Sequence, residues 1–368
     1  MRNTNSLDHP ASSSTPGARP LLRRPAVCIF QRFLPPDPSG AGKQALSSAR
    51  VIREAGWDVQ FLTDAQADAP DLLDGFHVHR VRPPVLDPSM AQIAAYWMRV
   101  ALALVRLRSR FDVLQLHTAD FHHAGAIPTA RLLGKPVLVR SSMAGEFGQL
   151  DGYRSGRLQK RILGLADAFS VLSERVANEY RQSGLPAEKL NIIPNGVDTA
   201  IYHPVDEAQK KSLRAELKLP ENRRILIYHG VFIERKSLIW LLETLEPVLS
   251  DLDLHLVLVG RPARDEDETG YAGRLRERIA RSPAASRITV RGYNPEVHRY
   301  LQAADVYLLA STNEGLPNAL LEAMASGLAP IASRTSGSED VIVDGRSGLL
   351  FEVRDRSGLL ASIQKLLG

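Results

Sequence analysis

The stretch DVYLLASTNEGLPNALLEAMASGLAPIAS, residues 305–333, reads as strand, loop, helix, strand. Asp305 to Ser311 is a short apolar run rich in β-formers, and Leu328 to Ser333 is another. Between them Pro317 suits the first turn of a helix, because its missing N–H would have no partner there. Two strands joined by a helix lie parallel, since only a long crossover returns the chain to the same sheet edge. The same alternation extends in both directions. Upstream in this round come "RILIYHG" (Arg224 to Gly230), "LHLVLVG" (Leu254 to Gly260) and "RITVRGY" (Arg287 to Tyr293). An earlier round holds "AVCIF" (Ala26 to Phe30), "DVQFLT" (Asp58 to Thr63), "HVHRV" (His77 to Val81), "DVLQLH" (Asp112 to His117), "PVLVRS", "AFSVLS" (Ala168 to Ser173) and "KLNIIPN" (Lys189 to Asn195). Helical periodicity fills the gaps, as in Met90 to Arg108 and Ser173 to Gln182. The pattern predicts an α/β chain of two doubly wound, Rossmann-like domains facing each other across a cleft. Ligands of such sheets bind beyond the carboxyl ends of the strands.

A length of 368 residues suffices for two separate cores, so the two rounds need not share one. The reading divides the chain into a disordered tail over 1–24, an N-terminal domain over 25–195, a hinge and linker over 196–223 and a C-terminal domain over 224–368. The tail is rich in Ser, Pro and Asn and lacks the apolar segment of a signal peptide. A net charge of +5 mildly favours anionic small partners, but the cations are too scattered for a nucleic-acid surface. Cys28, the only cysteine, lies in an apolar strand, which excludes disulfides and cysteine-based zinc and fits a reducing cytoplasm.

The loop after the first strand contains Gly40, Gly42 and Lys43 in "SGAGKQ". A phosphate-cradling P-loop would need a glycine at position 37 and a hydroxyl at position 44, where the chain has Asp37 and Gln44. The P-loop is therefore rejected. A flexible turn before a helix beginning at about Lys43 remains, able to bring backbone close to a ligand.

In the opening stretch, the backbone N–H groups of Asn318, Ala319 and Leu320 begin a helix, where they and the helix dipole suit an anion such as a diphosphate. Glu314 and Glu322 bracket that site. A carboxylate is a poor phosphate ligand but a good acceptor for vicinal sugar hydroxyls.

Here the chain resembles the retaining glycosyltransferases of family four, which have the two-domain GT-B fold. The resemblance rests on the E-x7-E spacing from Glu314 to Glu322 in "EGLPNALLEAMASG", on "LADAFSVLSERVANEYRQSGLPAEKLNIIPNGVD" and on "VIVDGRSGLLF", in that family's order. It implies a hexosyltransferase using a nucleoside-diphosphate sugar, with retention and without a metal or other cofactor. No Asp-x-Asp motif stands where a donor metal would need it. By the same resemblance Glu322 would bind the donor ribose and Glu314 the hexose hydroxyls near the reacting carbon. Lys236 would meet the diphosphate, His117 would stand near the sugar, and Gly292 and Tyr293 would meet the nucleobase. Gly230, Gly315, Leu316 and Pro317 join the donor site, while Gly40, Gly42 and Lys43 form the acceptor or phosphate loop.

Three positions depart from the family pattern. Val231 stands where an arginine usually gives the diphosphate a second cation, so Arg235 must turn into the cleft to replace it. Ser237 stands where a glycine usually follows the lysine. The chain stops at "SIQKLLG", short of the helices that usually cross back to the first domain, so the donor domain is expected to be truncated. These departures leave an alternative: a catalytically weak sugar-nucleotide-binding subunit partnering another glycosyltransferase. The acceptor could be a sugar, a lipid-linked or a small molecule. Trp97, Tyr96 and several Leu, followed by Arg106, Arg108 and Arg110, together with Arg154, Arg157, Lys160 and Arg161, suggest peripheral contact with an anionic membrane face.

Overall fold

The computed structural model describes residues 23–35, 40–65, 71–84, 89–118, 121–141, 156–263 and 270–367. The tail up to residue 22, Asp37 and Arg154 lie outside them. The first half forms β1 (Ala26–Phe30), β2 (Asp58–Asp64), β3 (Leu72–Leu73), β4 (Phe76–Val81), β5 (Val113–Leu116), β6 (Val137–Arg140), β7 (Ala168–Val171) and β8 (Leu190–Ile192). They make one eight-stranded sheet in the order β3-β4-β2-β1-β5-β6-β7-β8. The second half forms β9 (Arg224–His229), β10 (Leu254–Val259), β11 (Ile288–Arg291), β12 (Val306–Leu309), β13 (Ala329–Ser333) and β14 (Leu349–Phe351). These make a six-stranded sheet in the order β11-β10-β9-β12-β13-β14. Every described pairing is parallel except β3 with β4.

The central strand β1 is apolar and buried along its whole length, and β9 is buried from Ile225 to His229, because helices cover both sheet faces. In β1 the side chains alternate: Val27 and Ile29 pack under the helix Gly40–Glu54 with Ala45 and Ala49. Cys28 and Phe30 face the opposite layer with Tyr96, Val100 and Leu104. Burial pushes the Cys28 thiol up to about 12, so it is an inert core group. In the second sheet, Leu226 and Tyr228 of β9 and Leu256 and Leu258 of β10 join one continuous core.

In each sheet the connections reverse direction beside the first strand of its round: between β1 and β5, and between β9 and β12. Such a reversal opens a crevice at the strand carboxyl ends. The loops leaving β1, β5, β9 and β12 are therefore the ones placed to hold a ligand.

Four local features differ from the sequence reading. The two-residue strand β3 and the three-residue β14 carry too little pattern to show in sequence. The stretch 196–223 contains the helix Glu207–Glu216, started by a reciprocal capping box between Asp206 and Gln209. Its Arg214 is buried and bonds Asp305 at 2.7 Å, fastening this helix to the second sheet. Gly40 and Gly42 lie inside the helix Gly40–Glu54, so the helix starts before Lys43. Finally, in the helix Met90–Leu107, Tyr96 belongs to the buried stripe with Ile93, Val100 and Leu104 and donates to Asp64 Oδ1 at 2.6 Å. Trp97 packs against Gly125, where a Cβ would lie 2.2 Å from the indole. The outward face is instead Met98, Leu102 and Val105.

Candidate active site

A cavity of about 510 Å³ lies between the two sheets and is lined from both. Its second-sheet wall begins at the loop after β12. Glu314 sits there, buried, between two cations from the turn after β9: Lys236 bonds its Oε1, and Arg235 Nη1 is 3.0 Å from its Oε2. Burial pushes the Glu314 carboxyl up, but the charges of Lys236 and Arg235 outweigh it and hold the group below its ordinary value. Glu314 is thus an ionised acceptor. Burial likewise lowers Lys236, although the Glu314 charge opposes this.

The loop around Glu314 is held by backbone rather than by side-chain packing alone. Ser336 Oγ donates to Glu314 O at 2.8 Å, and Thr312 N donates to Arg235 O at 2.9 Å. Gly337 passes so close that a Cβ would lie 1.9 Å from Gly315 O. On the β9 side, Gly230 has φ +145°, and a Cβ there would meet the Tyr228 hydroxyl at 2.8 Å. Both glycines are required by close approach. Ser237, the departure from glycine, has φ 55° in the left-handed region, and its buried Oγ has no hydrogen-bond partner.

Glu322 lies in the second turn of the helix Asn318–Ala325. Its carboxylate is 3.9 Å from Lys43 Nζ and 3.3 Å from His229 Nε2. Burial raises its pKa, while Lys43 and a hydrogen bond from Tyr202 oppose the rise. Burial, and then the Lys43 charge, push His229 down to about 3, so its imidazole is neutral.

The first-sheet wall carries His117, directly after β5, and Arg140, the last residue of β6. Both are buried. His117 Nε2 lies 2.6 Å from Gln115 Nε2. Burial first, then the Arg140 and His123 charges, lower it to about 3, which leaves it a neutral imidazole.

Asn318 joins the walls. Its Oδ1 accepts from Gln44 Nε2 at 3.0 Å and from Asn195 Nδ2 at 2.9 Å, and its Nδ2 donates to Gly40 O at 3.1 Å. Asn195 Nδ2 also donates to Leu316 O at 3.1 Å. The N-terminal end of the helix Gly40–Glu54 and that of the helix Asn318–Ala325 are therefore in direct contact.

Of the residues singled out from sequence, His117, Gly40, Lys43, Gly230, Arg235, Lys236, Tyr293, Glu314, Gly315, Leu316, Pro317, Asn318, Ala319 and Glu322 line the cavity. Arg235 does turn into the cleft beside Val231. Three residues do not line it. Gly42 is buried inside its helix, and Gly292 follows β11 on the exposed surface. Leu320 is in the core, and its N–H is spent on Pro317 O at 3.0 Å, because the first turn tightens to a shorter-range bond. His229, Asn195, Gln44 and Arg140 line the cavity without having been singled out. Only His229, adjacent to Gly230, had a local signal.

Comparison with known proteins agrees with this geometry. Residues 38–201 match the family described as Glycosyltransferase Family 4, and residues 223–368 match Glycosyl transferases group 1. The N-acetyl-alpha-D-glucosaminyl L-malate synthase of Bacillus anthracis is 24% identical over 343 residues, covering 90% of this chain and 85% of that protein. The putative glycosyltransferase EpsD of Bacillus subtilis is 27% identical over 325 residues, covering 86% and 81%. The crystal structure of Anabaena HepE in complex with UDP-glucose superposes with a TM-score of 0.76 at 17% identity, covering 93% of this chain and 91% of that one. Two matched halves in this order, on two Rossmann-like sheets that meet at a shared cleft, make this chain a glycosyltransferase of the family-four, GT-B type.

Proposed function

We propose that the protein transfers a hexose from a nucleoside-diphosphate sugar to an acceptor hydroxyl, with retention of anomeric configuration. The carrying observation is the Glu314–Lys236–Arg235 cluster at the mouth of β9 and β12. It places an acceptor-only carboxylate for sugar hydroxyls directly beside two cations for a diphosphate. Negative charge grows on the departing diphosphate in the transition state, and preorganised cations stabilise it there most strongly. Arg235 supplies the second cation that Val231 lacks.

In this reading Glu322 takes the ribose hydroxyls, with His229 and Tyr202 orienting its carboxylate. Tyr293, half-exposed on the cavity rim, meets the base. Neutral His117 faces the sugar from the opposite wall as a hydrogen-bond partner without charge. No side chain of the described cleft is needed as a covalent nucleophile. The protein's contribution is to orient acceptor and donor on one face of the sugar and to stabilise the leaving group. Transfer is proposed to need no metal, the charge on the departing diphosphate being met by Lys236 and Arg235. The proposed compartment is the cytoplasm, where nucleotide sugars are made.

A thermal-shift screen of nucleoside diphosphates identifies the base, because a ligand of the folded state raises the melting temperature. The matching sugar nucleotides are then assayed for hydrolysis and transfer, with and without EDTA, and the anomer of the product is read by NMR. Transfer with inversion would overturn retention. Dependence on a divalent ion would overturn metal independence, and binding without any turnover would favour a binding subunit.

A further inference from the structure

The first-sheet wall holds a buried cation that the donor site does not use. Arg140 ends β6, next to β5 and His117, and is only 8% exposed while lining the cavity. Its guanidinium donates from Nη1 to Ser170 Oγ at 3.1 Å, and from Nη2 to Pro194 O at 3.3 Å and Asn195 Oδ1 at 3.0 Å. All three partners are neutral. No carboxylate lies within ion-pair distance of Arg140 among the described residues. The contrast with buried Arg214, which pairs with Asp305, and with Arg235, which pairs with Glu314, is direct.

A guanidinium taken out of water without a counter-charge costs several kcal/mol, so buried arginines are ordinarily paired. Burial lowers the pKa of Arg140, as expected for an uncompensated cation. Five N–H donors are available on the group, and the three bonds named leave two unspent. The donor diphosphate already has Lys236 and Arg235 on the opposite wall, so Arg140 is not required there.

We propose that Arg140 is an anion-recognition residue of the acceptor subsite, taking a carboxylate or phosphate on the molecule that receives the sugar. This rests on the donor site being the Glu314 and Lys236 wall, which leaves the His117 and Arg140 wall to the acceptor. A planar guanidinium binds either oxyanion through paired N–H donors. The same residue also grips Asn195, which in turn grips Leu316 and Asn318. An acceptor anchored there is thereby registered against the loop that carries Glu314.

The test titrates the full-length protein with inorganic phosphate and, separately, with succinate by isothermal calorimetry. Wild type, Arg140→Gln, Arg140→Lys and Lys236→Ala are compared. The expected result is an anion site weakened about tenfold or more in Arg140→Gln, largely kept in Arg140→Lys and kept in Lys236→Ala. Preference for phosphate over succinate, or the reverse, tells which group the acceptor carries. Arg140→Lys retains a cation within the same pocket, so it reports on recognition even where Arg140→Gln weakens the fold; thermal melts of each variant show which has happened. The proposal is overturned by wild-type anion affinity in Arg140→Gln with its fold intact, by loss of binding in Lys236→Ala alone, or by no anion binding in wild type. Nucleoside-diphosphate binding, measured on the same proteins, tests the donor wall separately: its failure with Arg140-dependent anion binding intact would sink the donor assignment only.

Discussion

On the second-sheet wall of the cleft, Glu314 faces Lys236 and Arg235, and Glu322 faces Lys43 and His229. On the first-sheet wall, Arg140 has only neutral partners, and His117 meets the side-chain amide of Gln115. The first arrangement is neutralised from within and can stand without ligand. Under the proposed function, a donor entering it would exchange partners rather than create them: sugar hydroxyls would replace part of the cationic contact at Glu314, and the diphosphate would take up the released cations. The second arrangement keeps a charge in reserve. The same contrast holds outside the cleft, where Arg106, Arg108 and Arg110 at the end of the helix Met90–Leu107 have no ion-pair partner among the described residues.

The sharpest way to break the comparison is to remove a charge from the paired wall. Lys236→Ala is expected to cost about 3 kcal/mol in kcat/KM, roughly a hundredfold, because the lost cation faces the charge that develops on the leaving diphosphate. Arg235→Ala should cost less, since Arg235 is the more exposed of the two. The carboxylates should separate by parameter: Glu322→Ala mainly weakens donor binding, and Glu314→Ala mainly lowers turnover. Steady-state kinetics and donor binding decide it. Wild-type kinetics in both carboxylate variants would remove the donor site from this wall.

The next effect is on stability against pH. His117 and His229 are both held neutral, each pushed from its ordinary 6.5 to about 3. Between those values the unfolded chain binds protons that the folded chain refuses, so stability falls as pH drops below about 6.5 and continues to fall toward 3. At pH 5 each histidine contributes up to about 2 kcal/mol of that loss. Urea denaturation of His117→Gln and His229→Gln at pH 7 and pH 5 measures it. Each variant should lose less on acidification than wild type; an unchanged loss in both would mean that neither imidazole is buried neutral.

Ser237 probes the paired wall with a smaller effect. Its φ of 55° sits between Lys236 and the helix Leu238–Leu249, at a position where a side chain is strained and its Oγ is unpartnered. Ser237→Gly is expected to stabilise the protein by about 1 kcal/mol, read as a shift in the denaturation midpoint, with donor affinity retained. Destabilisation would show that the hydroxyl has a partner in solution.

The sequence disclosed the paired wall far better than the reserved one. Strands β1 and β12 are buried on both faces and read as continuous apolar runs, and β5 and β9 are apolar but for Gln115, Arg224 and His229. Glu314, Pro317 and Glu322 fall within one strand-loop-helix unit, where spacing alone brings them together. Asn318 was legible as a helix start, but its side-chain bonds reach Gly40 and Gln44, more than 270 positions away. Those contacts depend on how the two sheets face each other, and no local pattern encodes that. Arg140 was read only as part of a strand, because what distinguishes it is the absence of a carboxylate beside it in space. The capping box at Asp206 and Gln209 was local, yet it stands among the prolines and polar residues of a stretch that otherwise reads as linker. In the helix Met90–Leu107 the period was legible but its phase was not, so Tyr96 was expected outside and lies in the core.

That corrected phase reshapes the last and smallest expected effect. The outward face of the helix is Met98, Leu102 and Val105, with Met98 71% exposed, and it runs into Arg106, Arg108 and Arg110. By length and composition this is the one helix among the described residues apolar enough to cross a membrane, but its buried stripe of Ile93, Tyr96, Val100 and Leu104 belongs to the domain core. A face of this kind is proposed to rest on an anionic lipid surface, its apolar side chains at the headgroup boundary and its arginines on the phosphates. Replacing Arg106, Arg108 and Arg110 together by Gln touches no ion pair among the described residues, so stability should change by no more than about 0.5 kcal/mol and transfer to a water-soluble acceptor should persist. The readout is co-sedimentation with vesicles of phosphatidylcholine alone or mixed with phosphatidylglycerol, at low and high salt. Binding that needs the anionic lipid, weakens with salt and is lost in the triple variant would place the unpaired charge of the first half against a membrane. Equal sedimentation of the variant, or none of the wild type, would leave this face without a lipid surface to meet.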